Sequence, residues 1–89
     1  MDALLKLLSS YPNGTELYLE WNTGLKLSGI IDTIYETTND DGEDFYACAF
    51  MIVTIAGEKQ LISGMLYEVS SQDPPNIIKD KFGNIIWSI

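Results

Sequence analysis

The amino-acid sequence predicts a mainly β fold: a small, five-stranded, strongly bent barrel with an N-terminal α-helix and an additional C-terminal β-hairpin. Three observations lead to this prediction. Short segments alternate apolar and polar residues at the period of a strand, turn residues separate these segments, and only the opening of the chain has a helical repeat. The 89 residues are 46% apolar, which suits one domain with one core. We divide it into a helix and turn (1–14), a barrel (15–69) and a hairpin (76–89).

The opening segment, MDALLKLLSSYPNG, is predicted to be a short amphipathic helix. Asp2 stands at the N-cap position, and Tyr11-Pro12 ends the helix because proline disfavours helical backbone in the residue before it. The stripe with i, i+3, i+4 spacing consists of Leu4, Leu5, Leu7 and Leu8. This stripe requires an apolar surface to pack against.

Two strands are predicted next. In TELYLEW, the apolar residues Leu17, Leu19 and Trp21 alternate with their neighbours, which is the period of a half-buried strand. Trp21 shares the apolar face, so we expect it in the core. The following segment, LKLSGIIDTIYE, is long and is predicted to bend at Gly29, because a glycine inside a strand marks a bulge or a close backbone approach.

The segment TTNDDGED (37–44) is predicted to be an acidic turn, since Asp41-Gly42 is a hairpin signal. The run FYACAFMIVTIA that follows is apolar on both faces, as expected of a central strand, and Cys48 within it is predicted to be a core thiol. A calcium loop is excluded. With Gly42 at its sixth position, Thr37 would start the loop and Cys48 would replace the bidentate glutamate.

After a turn at Gly57-Glu58 or Glu58-Lys59, two short strands are predicted, KQLIS (59–63) and MLYEV (65–69), with Gly64 between them. The segment SSQDPPN is predicted to be a loop, because its two prolines exclude regular structure.

The last segment, IIKDKFGNIIWSI, is predicted to form a hairpin around Phe82-Gly83-Asn84. Its final strand, which carries Trp87, must either complete the barrel or lie against a partner. Folded back onto a strand edge, this hairpin would favour a monomer. Swung across a boundary between subunits, it would strengthen an oligomer.

Thirteen acidic residues stand against five lysines, with no arginine and no histidine, so the net charge is -8. The lack of histidine excludes an ordinary catalytic triad and an imidazole metal site. We therefore predict no catalytic residue, no metal, no cofactor and no enzyme activity. The acidic surface also repels phosphate backbones, so tight nucleic-acid binding is not expected.

No apolar run approaches the roughly 18 residues of a membrane span, and the start lacks a basic leader with a cleavage site. A membrane location is therefore not expected. A single cysteine fits a reducing compartment, and we predict a cytoplasmic location.

The order of these elements and two motifs resemble the Sm-like family of small β-barrels. In TGLKLSGIIDTIYETTN, Gly24 and Gly29 have the glycine spacing of the first Sm-like motif, and Asn39 falls at the family's base-contacting asparagine. Ile31 and Ile34 fill apolar positions of that motif, and Tyr35 replaces its aspartate. The segment ISGMLY (62–67) is similar to the family's Ile-Arg-Gly-x-x-Ile signature, with Ser63 in place of arginine.

The resemblance implies that nucleic-acid contacts would come from Tyr35, Asn39, Ser63 and Gly64. Ser63 lacks the planar guanidinium that stacks on bases and binds phosphates, so the RNA-binding residues are largely lost. Alternatively, Asn39 stabilises the turn that it forms with Asp40-Asp41-Gly42, and Tyr35 packs against the core or the rim of the barrel.

Sm-like subunits form rings through strand edges, so the resemblance also implies a homo-oligomer. Its interface would include Leu61, Met65 and Tyr67. Trp87, in the C-terminal strand outside the resemblance, is a further interface candidate. We interpret the chain as a divergent, non-enzymatic Sm-like assembly or binding module.

Two other functions stay open. The first is an acidic protein-binding adaptor or inhibitor that imitates the charge of nucleic acid and occupies a basic partner. The second, weak RNA binding by an oligomer pore, would need Lys26, Lys59, Lys79 or Lys81 to converge.

Overall fold

The computed structural model describes residues 1–57 and 60–89. These residues form one helix, α1 (Ala3–Ser9), and one six-stranded antiparallel sheet. The strands are β1 (Glu16–Glu20), β2 (Lys26–Thr38), β3 (Asp44–Ala56), β4 (Leu66–Ser70), β5 (Ile77–Asp80) and β6 (Ile85–Ser88). Their order in the sheet is β4-β3-β2-β1-β5-β6. The mainly β class, the N-terminal helix and the C-terminal hairpin are confirmed.

Helix α1 begins as its sequence predicts, and its predicted stripe packs through three of its four leucines, since Leu7 is only partly buried. The carboxylate of Asp2 accepts a hydrogen bond from the N–H of Leu5 at 3.0 Å, an N-cap that contributes about 1 kcal/mol. Leu4, Leu5 and Leu8 are buried against β2 and β3. None of the helices in the described residues is long and apolar enough to cross a membrane.

Strands β2 and β3 are the two longest strands and lie between β4 and β1, and their pairing is irregular at two places. The register shifts between Ser28 and Gly29 and again between Ile31 and Thr33, which are bulges that bend and twist the pair. A Cβ at Gly29 would overlap the carbonyl oxygen of Met51. Only glycine therefore allows the two backbones to approach this closely, at the position where the sequence predicts a bend.

The sheet is open, so the predicted closure into a five-stranded barrel is wrong. Strands β4 and β6 lie at the two edges and do not pair with each other. The reason is the C-terminal hairpin. Strand β5 pairs with β1 from Leu17 to Glu20 and occupies the edge through which β1 could have closed a barrel.

The segment KQLIS does not form a strand in its described residues, 60–63, and that prediction is wrong there. The predicted turn at Gly57-Glu58 or Glu58-Lys59 falls on residues 58 and 59, which lie outside the described residues. The tight turn 62–65 takes the place of the strand. Gly64 donates its N–H to Ile52 O at 2.7 Å, and Met65 O accepts from Ile52 N at 2.9 Å, so the turn itself extends the pairing of β3.

One apolar core joins the helix to the inner face of the sheet. Trp21 lies in it as predicted, and its indole N–H donates to Asp73 O at 3.0 Å. Cys48 is fully buried, and desolvation followed by the charge of Asp32 raises the pKa of its thiol to about 11. The core consists of Leu4, Leu5, Leu8, Leu17, Leu19, Trp21, Leu25, Leu27, Ile31, Cys48, Phe50, Ile52, Val69 and Ile78.

The C-terminal hairpin folds back onto the sheet. Ile78 of β5 is buried, and Trp87 of β6 pairs with it and packs against the core. The indole N–H of Trp87 donates to Pro75 O at 3.1 Å. Of the two arrangements considered for this hairpin, the chain adopts the one that covers its own strand edge.

Candidate functional site

The central hairpin projects beyond its neighbours as an arm. Strand β2 pairs with β1 only from Lys26 to Ile30, and β3 pairs with β4 only from Ala47 to Met51. Residues 36–46 therefore extend past the last pairs of both flanking strands, and their strand pairing is with each other. They also contact the rest of the protein: Tyr46 packs against the core, and the amide of Asn39 donates to Gln72 Oε1 at 3.4 Å. We call residues 36–46 the acidic arm.

The acidic arm carries five exposed carboxylates and no lysine. They belong to Glu36, Asp40, Asp41, Glu43 and Asp44. Lys26 lies at the opposite end of β2, and Lys79 lies on β5, two strands away. Negative charge is therefore concentrated at one end of the sheet, where it produces a field that attracts cationic groups.

The turn of the acidic arm is organised by Asn39. Its side-chain oxygen accepts hydrogen bonds from the N–H of Asp41 at 3.0 Å and of Glu43 at 2.9 Å. Gly42 has φ +80°, the left-handed conformation that favours glycine. The side chain of Asn39 is thus used by the turn, and the turn is held in one shape.

Tyr35 lies at the base of the acidic arm on the outer face of the sheet. Its hydroxyl donates to Glu68 Oε2 at 2.7 Å across β3, where Ala47 and Ala49 leave room for the phenol ring. Burial, followed by this hydrogen bond and the negative charge of Glu68, raises the pKa of Tyr35 to about 12. The phenol therefore stays protonated near neutral pH and holds the Glu68 carboxylate over the sheet.

Ionisation of Tyr35 is expected at unusually high pH. Because its folded pKa is about 12 and an unfolded tyrosine has about 10, its stabilising contribution is complete below pH ~10 and is lost as pH rises to ~12. A titration followed by tyrosinate absorbance should show a transition near pH 12 that Tyr35→Phe removes. Glu68→Gln should move that transition to lower pH. A Tyr35 transition near pH 10 in the folded protein would contradict this assignment.

The outer edge of β4 leads directly to the base of the acidic arm. Ser70 pairs with Ala47, and the arm starts one residue beyond. At the other end of β4, the side chains of Ile62, Met65 and Leu66 are 63%, 40% and 59% exposed. These three residues form what we call the edge patch, an apolar surface at the end of β4 that is far from the acidic arm.

The four residues predicted to contact nucleic acid do not lie together. Tyr35 pairs with Ala47, whereas the N–H of Gly64 bonds to Ile52, five residues along β3. At ~3.3 Å per residue, the two places are roughly 17 Å apart. Ser63 is exposed in the turn beside Gly64. Of the four lysines considered for a pore, Lys26 and Lys79 lie on strands either side of β1, Lys81 lies in the turn between β5 and β6, and Lys59 lies outside the described residues.

The four predicted interface residues have different environments. Leu61, Tyr67 and Trp87 are partly buried against the core, and the ring of Tyr67 meets Trp21 edge-on at 5.4 Å between centroids. Of the four, only Met65 is exposed. Their predicted role between subunits stays a prediction.

Sequence reasoning missed the exposed apolar residues Ile62 and Leu66. A signal for Leu66 is present in MLYEV, where Tyr67 and Val69 face inward and Leu66 shares the outer face with Glu68. A single exposed apolar residue is ordinary, but Leu66 together with Ile62 and Met65 forms an apolar patch, and such patches mark interaction sites. No group of three or more metal-binding side chains is found in the described part of the chain.

Comparison with known proteins identifies a different relationship from the one that the motifs suggest. The whole chain, residues 1–89, matches a family model described as "Cognate immunity protein YxxD". No curated protein and no solved structure matches the chain. The full-length match overturns the resemblance to the Sm-like family, to which no match is found.

Proposed function

Because the chain belongs to the cognate immunity protein family YxxD, we propose that it binds the toxin for which it is cognate and neutralises it by occupying a surface that the toxin needs. This role is stoichiometric binding without catalysis. It is close to the acidic inhibitor that the composition allows. The single observation that carries the proposal is the family match over residues 1–89.

The acidic arm favours a toxin whose contact surface is basic. Its five carboxylates are exposed at one end of the sheet and belong to a chain of net charge -8. Clustered charge of one sign accelerates the encounter with an oppositely charged partner and disfavours partners of the same charge. We therefore propose that the arm makes the first contact with a lysine- or arginine-rich face of the toxin.

The shape of the arm also favours tight binding. The hydrogen bonds from Asp41 and Glu43 to Asn39 hold the turn in the free protein. A surface that is ordered before binding loses less conformational entropy when the complex forms. Homo-oligomerisation and the cytoplasmic location stay predictions.

Co-expression tests the proposed function. A toxin from the same genome that stops growth when expressed alone should be tolerated when this protein is expressed with it, whereas an immunity protein of another family should give no protection. In vitro, titration of the purified toxin should reach full inhibition near one protein per toxin. Loss of toxin activity at a small fraction of that ratio would indicate catalysis and overturn the proposal, as would growth arrest despite equal expression.

A further inference from the structure

Among the described residues, no strand pairs with the outer backbone edge of β4. The strand is terminal in the sheet, and its other side is bonded to β3. The backbone of Ile52 points toward β4, because it bonds to Gly64 and Met65. Since the direction of backbone groups alternates along a strand, Phe50 also points toward β4, and its partner Tyr67 points back. The N–H and C=O groups of Leu66 and Glu68 therefore face the open edge.

This edge carries only part of the usual protection against strand pairing. Edge strands are commonly guarded by lysine, proline, bulges, short length or charged side chains, including charges that point inward over the sheet. Strand β4 contains neither lysine nor proline, and its one charged side chain, Glu68, accepts a hydrogen bond from the Tyr35 hydroxyl at 2.7 Å. Leu66 is 59% exposed. The five residues of β4 therefore leave room for a short further strand, and the negative charge of Glu68 favours one that carries a positive charge.

We propose that a cationic, extended segment of the toxin adds to the sheet as a seventh strand along β4. This inference rests on the proposed function, because it names the part of the partner that this edge receives. Main-chain hydrogen bonds to Leu66 and Glu68 provide the pairing, and alternate side chains of the added strand provide the specificity. An apolar residue of that strand packs on Leu66, and a lysine or arginine reaches Glu68.

Charge selects this occupant over a second copy of the chain. An added strand that continues past Ser70 reaches the level of the acidic arm, two strand spacings or about 10 Å from β3, where cationic residues are favoured. Two copies of this protein would instead bring together two chains of charge -8. The other edge, β6, is farther from the arm, with Lys79 on the neighbouring strand and Lys81 in the turn between them.

Amide hydrogen exchange tests the proposal directly. In the free protein, the amides of Leu66 and Glu68 should exchange rapidly, and in the toxin complex they should exchange at least about tenfold more slowly. The amides of β6 (Ile85–Ser88) serve as the control edge and should not change. Toxin binding without protection at Leu66 and Glu68, or with protection at β6 instead, would overturn the seventh strand but leave the proposed function intact. Absence of any complex would overturn both.

A proline substitution provides the second test. Leu66→Pro removes an N–H that faces the open edge and no hydrogen bond within the protein, whereas Leu66→Ala removes the same side chain and keeps the N–H. We expect Leu66→Pro to bind toxin about fivefold to tenfold more weakly than Leu66→Ala, the effect of one hydrogen bond. Equal affinities of two folded variants would contradict the proposal. The proposal would also be contradicted if the protein alone had the mass of a dimer and its Leu66 and Glu68 amides exchanged slowly. A second copy of the chain would then occupy the edge.

Discussion

Reversing two charges in the acidic arm should weaken toxin binding by about two orders of magnitude. The substitutions Asp40→Lys and Asp41→Lys replace exposed carboxylates by cations at the tip. The turn should persist, because Asn39 binds the backbone N–H of residue 41 and not its side chain. Local charge of one sign changes association rates by 10- to 1,000-fold at low ionic strength. Binding kinetics at two salt concentrations should show most of the loss in the association rate.

A matched control distinguishes the effect of the acidic arm on binding from the effect of the overall net charge. Glu16→Lys with Glu20→Lys also changes the net charge by four, but these residues lie on β1. At physiological salt, charges are screened beyond about 8 Å, so this pair should weaken binding much less than the arm pair. Equal losses in both variants would mean that net charge, and not the arm, determines recognition.

The largest expected effect on stability is that of Gly29→Ala. The added Cβ would overlap Met51 O and lie 2.9 Å from the Met51 carbonyl carbon and from a ring carbon of Phe50. The Met51 atoms are backbone within the central β2–β3 pair, so they can yield only by breaking that pairing. We expect the free energy of unfolding to fall by about 3 kcal/mol or more, which lowers the Tm of an 89-residue domain by roughly 12 °C or more.

Gly64→Ala is the control for this prediction. Gly64 has φ +90° and no neighbour within 4 Å of an added Cβ, so its substitution introduces backbone strain without a clash. That strain costs about 1–2 kcal/mol. Urea unfolding of both variants measures the difference. If Gly29→Ala proved no more destabilising than Gly64→Ala, the close approach of β2 and β3 would be in doubt.

Elements with local signals could be predicted from the sequence. Asp2 followed by a leucine stripe predicts α1, and Asp41-Gly42 between apolar runs predicts the β2–β3 hairpin. In both cases a contact that starts the element, the cap of Leu5 by Asp2 or the bonds of Asp41 and Glu43 to Asn39, lies within a few residues of the signal. The same holds for the face of Trp21, which the period of TELYLEW determines.

Closure of the sheet could not be predicted, because it depends on which distant strands pair. The pairing of β5 with the edge of β1 joins segments about 60 residues apart, and no local pattern specifies it. The Sm-like resemblance depended largely on Gly24, Gly29 and Gly64. Turns and bulges of many β folds need glycine at such positions, so these residues are weak indicators of a family.

The candidate site was only partly visible for the same reason. The acidic composition of the arm is plain in the sequence, and it correctly indicated an acidic surface. The contact between Tyr35 and Glu68 joins residues 33 apart and needs the registers of three strands. The open edge at Leu66 follows from the order of the strands in the sheet, and no local sequence pattern specifies that order.

The most direct test of the central claim is the solution mass of this protein mixed with its cognate toxin, measured by size-exclusion chromatography with light scattering at low and high salt. We predict a single species with the mass of one protein and one toxin at low salt, and a smaller fraction of complex as salt screens the acidic arm. Separate elution of the two proteins at low salt, with both folded, would contradict the account.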